Sequence, residues 1–180
     1  MESIKIVFKY KPLQIALYVS VILFILSFLV GFLVDLLPSN KGFFGEEKAL
    51  TTFSLFVHNF SYHILNVLGM ITLGLYNFFS LTLNGLVIGT TLKYAIKEYG
   101  FLTSFLRLFI HGFLEVPLIL LSSSIGIMPL ISIIYHVSQE KKFHFKKFLK
   151  NILLLLLILL IFTLIAAFLE AHVSSLIKLT

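Results

Sequence analysis

Cysteine and tryptophan are both absent from this chain, and charged residues make up only 12% of its 180 positions. Without cysteine there is no disulfide framework, no thiolate nucleophile and no sulfur ligand for a metal. The same absence leaves the redox compartment unread. The motifs of soluble chemistry are missing too: no glycine-rich phosphate loop, no HExxH helix and no GxSxG elbow occurs. ATP hydrolysis by this chain alone, zinc proteolysis and elbow-serine hydrolysis therefore have no footing. No short apolar stretch followed by a small-residue cleavage site opens the chain, so the first apolar run is expected to remain as an uncleaved span.

What fills the chain instead is hydrocarbon. Hydrophobic residues account for 59%, Phe alone occurs 20 times, and the mean hydropathy is +1.05. These values lie outside the soluble range and indicate an all-α, polytopic membrane helix bundle forming one integral membrane domain over residues 1–180. The net charge of +6 does not point to nucleic acid, because the lysines gather at the ends of apolar runs, as membrane topology requires. The lipid bilayer is the expected partner.

Apolar runs predict five spans, at about 13–37, 53–76, 78–97, 113–135 and 151–172, each near the roughly 20 residues that cross a bilayer. Lys5, Lys9 and Lys11 place the N-terminus in the cytoplasm, and the basic loop 137–150, with five lysines against Glu140, belongs on the same side. Its Phe143, Phe145 and Phe148 suit a segment lying on anionic lipid. The turn-rich stretch 38–48 falls outside the cell, as do Lys93 and Lys97, against the usual bias. Phe101 to Ile110 reads as a short interfacial amphipathic helix leading into span four. A re-entrant hairpin broken at Pro117 is the alternative for that region.

The polar residues inside these runs carry the information. His111-Gly112-Phe113-Leu114-Glu115-Val116-Pro117 sets a base, an acid and a helix breaker within two turns. A charge at bilayer depth costs roughly 2.5–3.5 kcal/mol, so Glu115 should face protein, water or a partner. It is either a structural group that fixes helix packing or a substrate or partner site. Asn59, Asn66 and Asn84 must find hydrogen-bond partners for the same reason. Gly69, Gly74, Gly85, Gly89, Gly112 and Gly126, with Pro117, are the candidate packing and bending positions, and Gly85 and Gly89 form a GxxxG pair that suits packing within the monomer better than a dimer face. The Ser122-Ser123-Ser124 triplet reads as a packing face, since no paired base accompanies it. His111 and Glu115 share a helix face and His58 and His63 lie five apart, yet three or four converging ligands are needed for zinc, so no metal and no cofactor is expected.

Asn59, Gly69 and Gly74, Asn84-Gly85 with Gly89, the His111–Pro117 stretch, Gly126 and Ala166-Ala167-Phe168-Leu169-Glu170 form a series that resembles the stage II sporulation protein M family of integral membrane proteins. The resemblance covers roughly residues 50–172, and Ile110 stands where the family usually has a proline before the His-Gly pair. It implies a small polytopic protein without known catalytic activity. The family's named member belongs to the engulfment machinery and is associated with localising peptidoglycan-degrading enzymes, and other short members resemble proteins of circular-bacteriocin export or immunity. The expected function is a non-enzymatic scaffold binding protein partners in the membrane, with Asn59, Asn84, His111, Glu115 and Glu170 as a buried polar cluster that sets the helix arrangement. A small transport or export subunit with a Glu/His path is the rival. A homo-oligomer is compatible with either.

Overall fold

The computed structural model describes residues 7–34, 51–140 and 142–173; the side chains of Arg107, Phe109, Ile110, His111 and Val173 fall outside that description, as does the 38–48 loop. Helix is the dominant structure, and no strand occurs among the described residues.

Among the described residues, five long helices follow one another. Helix α1 (Lys11–Leu33) begins with Pro12, where a missing N–H costs nothing. Its buried residues Leu13, Ala16, Ser20, Phe24, Ser27 and Gly31 recur at helical spacing, while Ile22, Ile25, Leu26 and Leu29 face outward. In helix α2 (Thr52–Leu68), the Thr51 hydroxyl caps the N-terminus by accepting from the Ser54 N–H at 3.2 Å. A single 3-10 turn, Gly69–Thr72, then leads into two left-handed residues, Leu73 (φ 51°) and Gly74 (φ 88°), before helix α3 (Leu75–Tyr99). The Thr72 hydroxyl locks this corner, donating to the Gly69 carbonyl at 2.9 Å and accepting from the Tyr76 N–H at 3.2 Å. Gly100 (φ 80°) separates α3 from helix α4 (Phe101–Ser138), and helix α5 (Phe145–Val173) ends the described chain.

Helix α4 is the axis of the bundle and touches every other helix. Its apolar stretch Gly112–Ser138 is 61% buried, against 28% for the apolar stretches of α1 and α5, so those two present most of their surface outward. Helices α1 and α3 form the closest pair on one side, and α2 packs with α5 on the other. Glycines make the α1–α3 seam possible. A Cβ at Gly85 would meet Ser27 Cβ at 2.7 Å and the Phe24 carbonyl at 2.8 Å; one at Gly89 would collide with the Phe28 carbonyl, and one at Gly31 with the Leu86 carbonyl. The GxxxG pair is thus consumed inside the monomer, and any homo-oligomer must use another face.

Among the described residues, three stretches, Lys11–Leu33, Gly112–Ser138 and Phe145–His172, are long and apolar enough to cross a membrane. Several expectations are corrected at the level of helix boundaries. The break expected between 76 and 78 lies instead at Gly69–Gly74, because the apolar run continues through the corner and hydropathy alone does not register it. The interfacial helix expected at Phe101–Ile110 and span four are one uninterrupted helix of 38 residues, with Pro117 and Pro129 accommodated inside it. Pro117 is exposed and breaks nothing, which removes the re-entrant hairpin. Gly112 is not a close-packing position either: a Cβ there would meet only Val116 of the same helix, at 3.6 Å.

The seam and the open position predict opposite outcomes. Gly89→Ala should lower the unfolding midpoint of the purified protein in detergent, at an overpacking cost of about 1–3 kcal/mol. Gly112→Ala should leave the midpoint unchanged or raise it slightly, since alanine is the better helix former. A thermal melt of both variants beside the parent checks the pair.

Candidate functional site

Three helices each carry a polar stripe at helical spacing, and the fold turns all three toward one another. On α2 the stripe is Asn59, Tyr62, His63 and Asn66; on α3 it is Asn77, Ser80 and Asn84; on α4 it is Glu115 and Ser122, ending at Gly126. In hydrocarbon each of these groups needs an internal partner.

Asn66, fully buried, is the hub. Its Nδ2 donates to Ser122 Oγ at 3.3 Å, its Oδ1 accepts from Ser80 Oγ at 3.0 Å, and its backbone carbonyl accepts from Asn77 Nδ2 at 2.7 Å. Counting protons fixes the directions around it. Ser80 has given its only proton to Asn66, so the 2.6 Å bond between Tyr62 and Ser80 is donated by the Tyr62 hydroxyl. Asn84 Nδ2 in turn donates to the Tyr62 oxygen at 2.5 Å and to the Ser80 carbonyl at 2.7 Å. Ser122 donates to the Ile119 carbonyl at 3.1 Å, so the 3.2 Å bond between His63 and Ser122 is assigned as donated by His63 Nδ1. That tautomer leaves His63 Nε2 as a bare acceptor. It is buried, and no protein group bonds to it among the described residues.

Asn77 is held differently. Its Oδ1 has no hydrogen-bond donor among the described residues, yet it lies where a Cβ at Gly69 or at Gly126 would stand. The α-hydrogens of the two glycines therefore point at this oxygen and make weak C–H···O contacts. Gly69 and Gly126 are thus a clamp on Asn77, and Gly74 passes close to the Ile127 backbone, 2.9 Å from an added Cβ.

Beside this network lies a small polar cavity of about 130 Å³, lined by His58, Asn59, Tyr62, His63, Asn84 and Glu115, with Ile119 at its edge. A second cavity of about 410 Å³ adjoins it at Asn84, Glu115 and Ile119; its remaining lining is apolar, including Phe24, Phe28, Ile88 and Val116. Gly112 belongs to this second lining, so its missing side chain leaves the space open.

Of the residues expected to form a buried polar cluster, Asn59, Asn84 and Glu115 line one cavity, each half-buried. The His111 backbone continues α4, but its side chain lies outside the described residues. Glu170, half-buried near the end of α5, lines neither cavity. Other polar groups are buried more deeply, among them His63, Asn66, Asn77, Ser80 and the Ser122–Ser124 triplet. Within the triplet, Ser124 donates to the Leu120 carbonyl at 2.5 Å and lies 3.0 Å from Ser20 Oγ of α1, in keeping with a packing face. No group of three metal-ligating side chains occurs among the described residues.

A family model described as stage II sporulation protein M matches residues 20–175. No curated protein and no solved structure matches the chain.

Asn66→Leu should destabilise the purified protein by about 1–2 kcal/mol, because interhelical bonds of this kind average about 0.6 kcal/mol each and the two made by the side chain, with Ser122 and Ser80, are lost while the bond from Asn77 to the backbone carbonyl remains. Asn59→Leu, at the cavity margin with no hydrogen bond among the described residues, should shift the melting midpoint far less. Equal shifts for the two variants would contradict the hub.

Proposed function

The chain belongs to the stage II sporulation protein M family, and we propose that it acts as a non-enzymatic membrane scaffold, holding partner proteins through its outward helix faces and the basic segment 137–150, expected as a loop but helical from Phe145 onward, where α5 begins. Five crossings, with the N-terminus and that segment in the cytoplasm, are part of this reading. In addition to the three long apolar stretches, α3 has 25 residues and so reaches about 38 Å, more than the roughly 30 Å hydrocarbon core. Helix α2 has 17 residues and reaches about 26 Å before its 3-10 turn, with its polar stripe turned inward. The 38 residues of α4 amount to about 57 Å, so one end extends past the bilayer.

The observation that carries the reading is the closed network itself. Tyr62, Asn66, Ser80, Asn84 and Ser122 direct their hydrogen bonds at one another and so fix three helices in one arrangement, as a rigid platform requires. Family membership supplies the class of partner by association: enzymes that remodel peptidoglycan. The exposed Lys142, Lys146, Lys147 and Lys150 suit both a partner surface and anionic lipid.

A second reading, a small transport or export subunit, draws on a different observation, the polar cavity that joins Glu115 to the open acceptor of His63.

Affinity purification of the intact protein in mild detergent should retain a wall-remodelling enzyme, and replacing the four exposed lysines of 142–150 with glutamine should weaken its retention. Retention of an ATPase subunit in its place would favour export. Glu115→Gln separates the readings further: a scaffold keeps its partner, whereas a proton-coupled carrier loses flux in a proteoliposome assay.

A further inference from the structure

The corner between α2 and α3 stops short of one end of the bundle. It packs on α4 at Gly126 and Ile127: a Cβ on Gly126 would collide with the Asn66 carbonyl, and one on Gly74 would lie 2.9 Å from Ile127 Cα. From Ile127 to its end at Ser138, α4 runs on for about 16 Å at 1.5 Å per residue. Its exposure changes at the same level. Every residue from 121 to 128 is buried, whereas of 129–138 only Ser132 is. By helical spacing Ile133 and Val137 share the face of Gly126, and Ile134 that of Ile127, and all three are more than half exposed. The α4 face that meets the corner is therefore bare beyond it. Together with the exposed Ile71, Leu73 and Leu75 it bounds an apolar recess. A depth of about 16 Å matches one leaflet, half of the roughly 30 Å hydrocarbon core.

Two basic segments, far apart in sequence, meet at the mouth of this recess. The Tyr10 hydroxyl lies 3.4 Å from Ser132 Oγ, which sets the start of α1 beside the last turns of α4, and the Phe143 ring packs on His136 with centroids 5.3 Å apart. Lys9 and Lys11 flank Tyr10, Lys142 precedes Phe143, and Lys146, Lys147 and Lys150 follow in the first turns of α5; all six are exposed. Glu140 is the one acid in residues 7–11 and 132–150. A hydrocarbon wall one leaflet deep, under a cluster of cations, complements a lipid tail below an anionic headgroup. A partner's crossing helix, which needs about 30 Å, would run into the corner on this face, whereas a tail ends before it.

We propose that the recess seats an anionic phospholipid of the leaflet on the basic side, with its phosphate among Lys9, Lys11 and Lys142 and its tail along Ile133, Ile134 and Val137 toward Ile71. The inference rests on the helix arrangement and not on the scaffold role, because purified protein and lipid suffice to test it and capture of a partner enzyme does not report it.

The chain contains no tryptophan, so Ile134→Trp places a single fluorophore in the recess. Leu153→Trp, on the exposed face of α5 about 12 Å beyond Phe145, is the control outside it. Both positions are exposed, so either substitution should leave the fold intact. The intact protein is placed in mixed phosphatidylcholine and phosphatidylglycerol nanodiscs with one of the two lipids brominated in its tail, and quenching reads the lipid composition at each fluorophore. Phosphatidylglycerol should be favoured by about fivefold or more at Ile134→Trp and by no more than about twofold at Leu153→Trp. Raising the ionic strength, or replacing Lys9, Lys11 and Lys142 with glutamine, should bring the first preference down to the second. An absence of quenching at Ile134→Trp would mean that protein and not lipid covers this face. Equal preference at the two positions would reduce the site to the general attraction of a basic surface, and a preference that survives both salt and lysine replacement would remove the headgroup contact. Any of these three results overturns the proposal.

Discussion

An amide inside hydrocarbon has nowhere to turn except to the protein, and the bundle is arranged around satisfying one, Asn66. Both ends of its side chain and its own carbonyl are engaged, by Ser122 of α4 and by Ser80 and Asn77 of α3. Burial of apolar surface cannot order these helices, because lipid is as apolar as leucine. Direction and register must come from groups that lipid cannot serve, and the Asn66 network supplies them. The glycine contacts are its steric complement. Gly69 and Gly126 admit Asn77 to the center, while Gly31, Gly85 and Gly89 bring α1 and α3 into backbone contact.

Much of this was legible in the sequence, and for identifiable reasons. The all-helical membrane class follows from composition, and family membership was readable from the Asn-Gly and His-Gly-x-x-Glu-x-Pro marks. The identity of the residues under tightest constraint was only half visible. Glu115 and Asn84 stand out because charge and amide are rare in such a chain, and both line the cavity. His63 and Asn77 stand outside the buried cluster expected from the sequence, although 59, 62, 63 and 66 on α2 recur at the spacing of a single helix face. Apolar periodicity does not mark them, since in a membrane protein the informative stripe is the polar one.

The corner at Gly69–Gly74 and the unbroken α4 were hidden for another reason. Hydropathy averages over a window and does not register a change of backbone hand at two residues, Leu73 and Gly74. Proline is a poor guide in the other direction. Pro117 removes a donor from α4, but the helix passes through it, as membrane helices often permit where neighboring groups compensate. Glu170 drew attention as a second acid in a deep-lying position, yet proximity in chemistry did not translate into proximity in space, for α5 meets α2 and α4 away from the cavity.

The placement of these partners along the chain has a consequence for biosynthesis. Helix α2 emerges from the ribosome with His63 and Asn66 unsatisfied, and Ser122 follows only 59 and 56 residues later. Ser80 and Asn77 arrive sooner and can relieve Asn66 in part. Until α4 is made, the imidazole of His63 lacks its partner, and the bilayer offers no substitute. The final seating of α2 against its neighbours therefore comes late in synthesis, once Ser122 of α4 has been made.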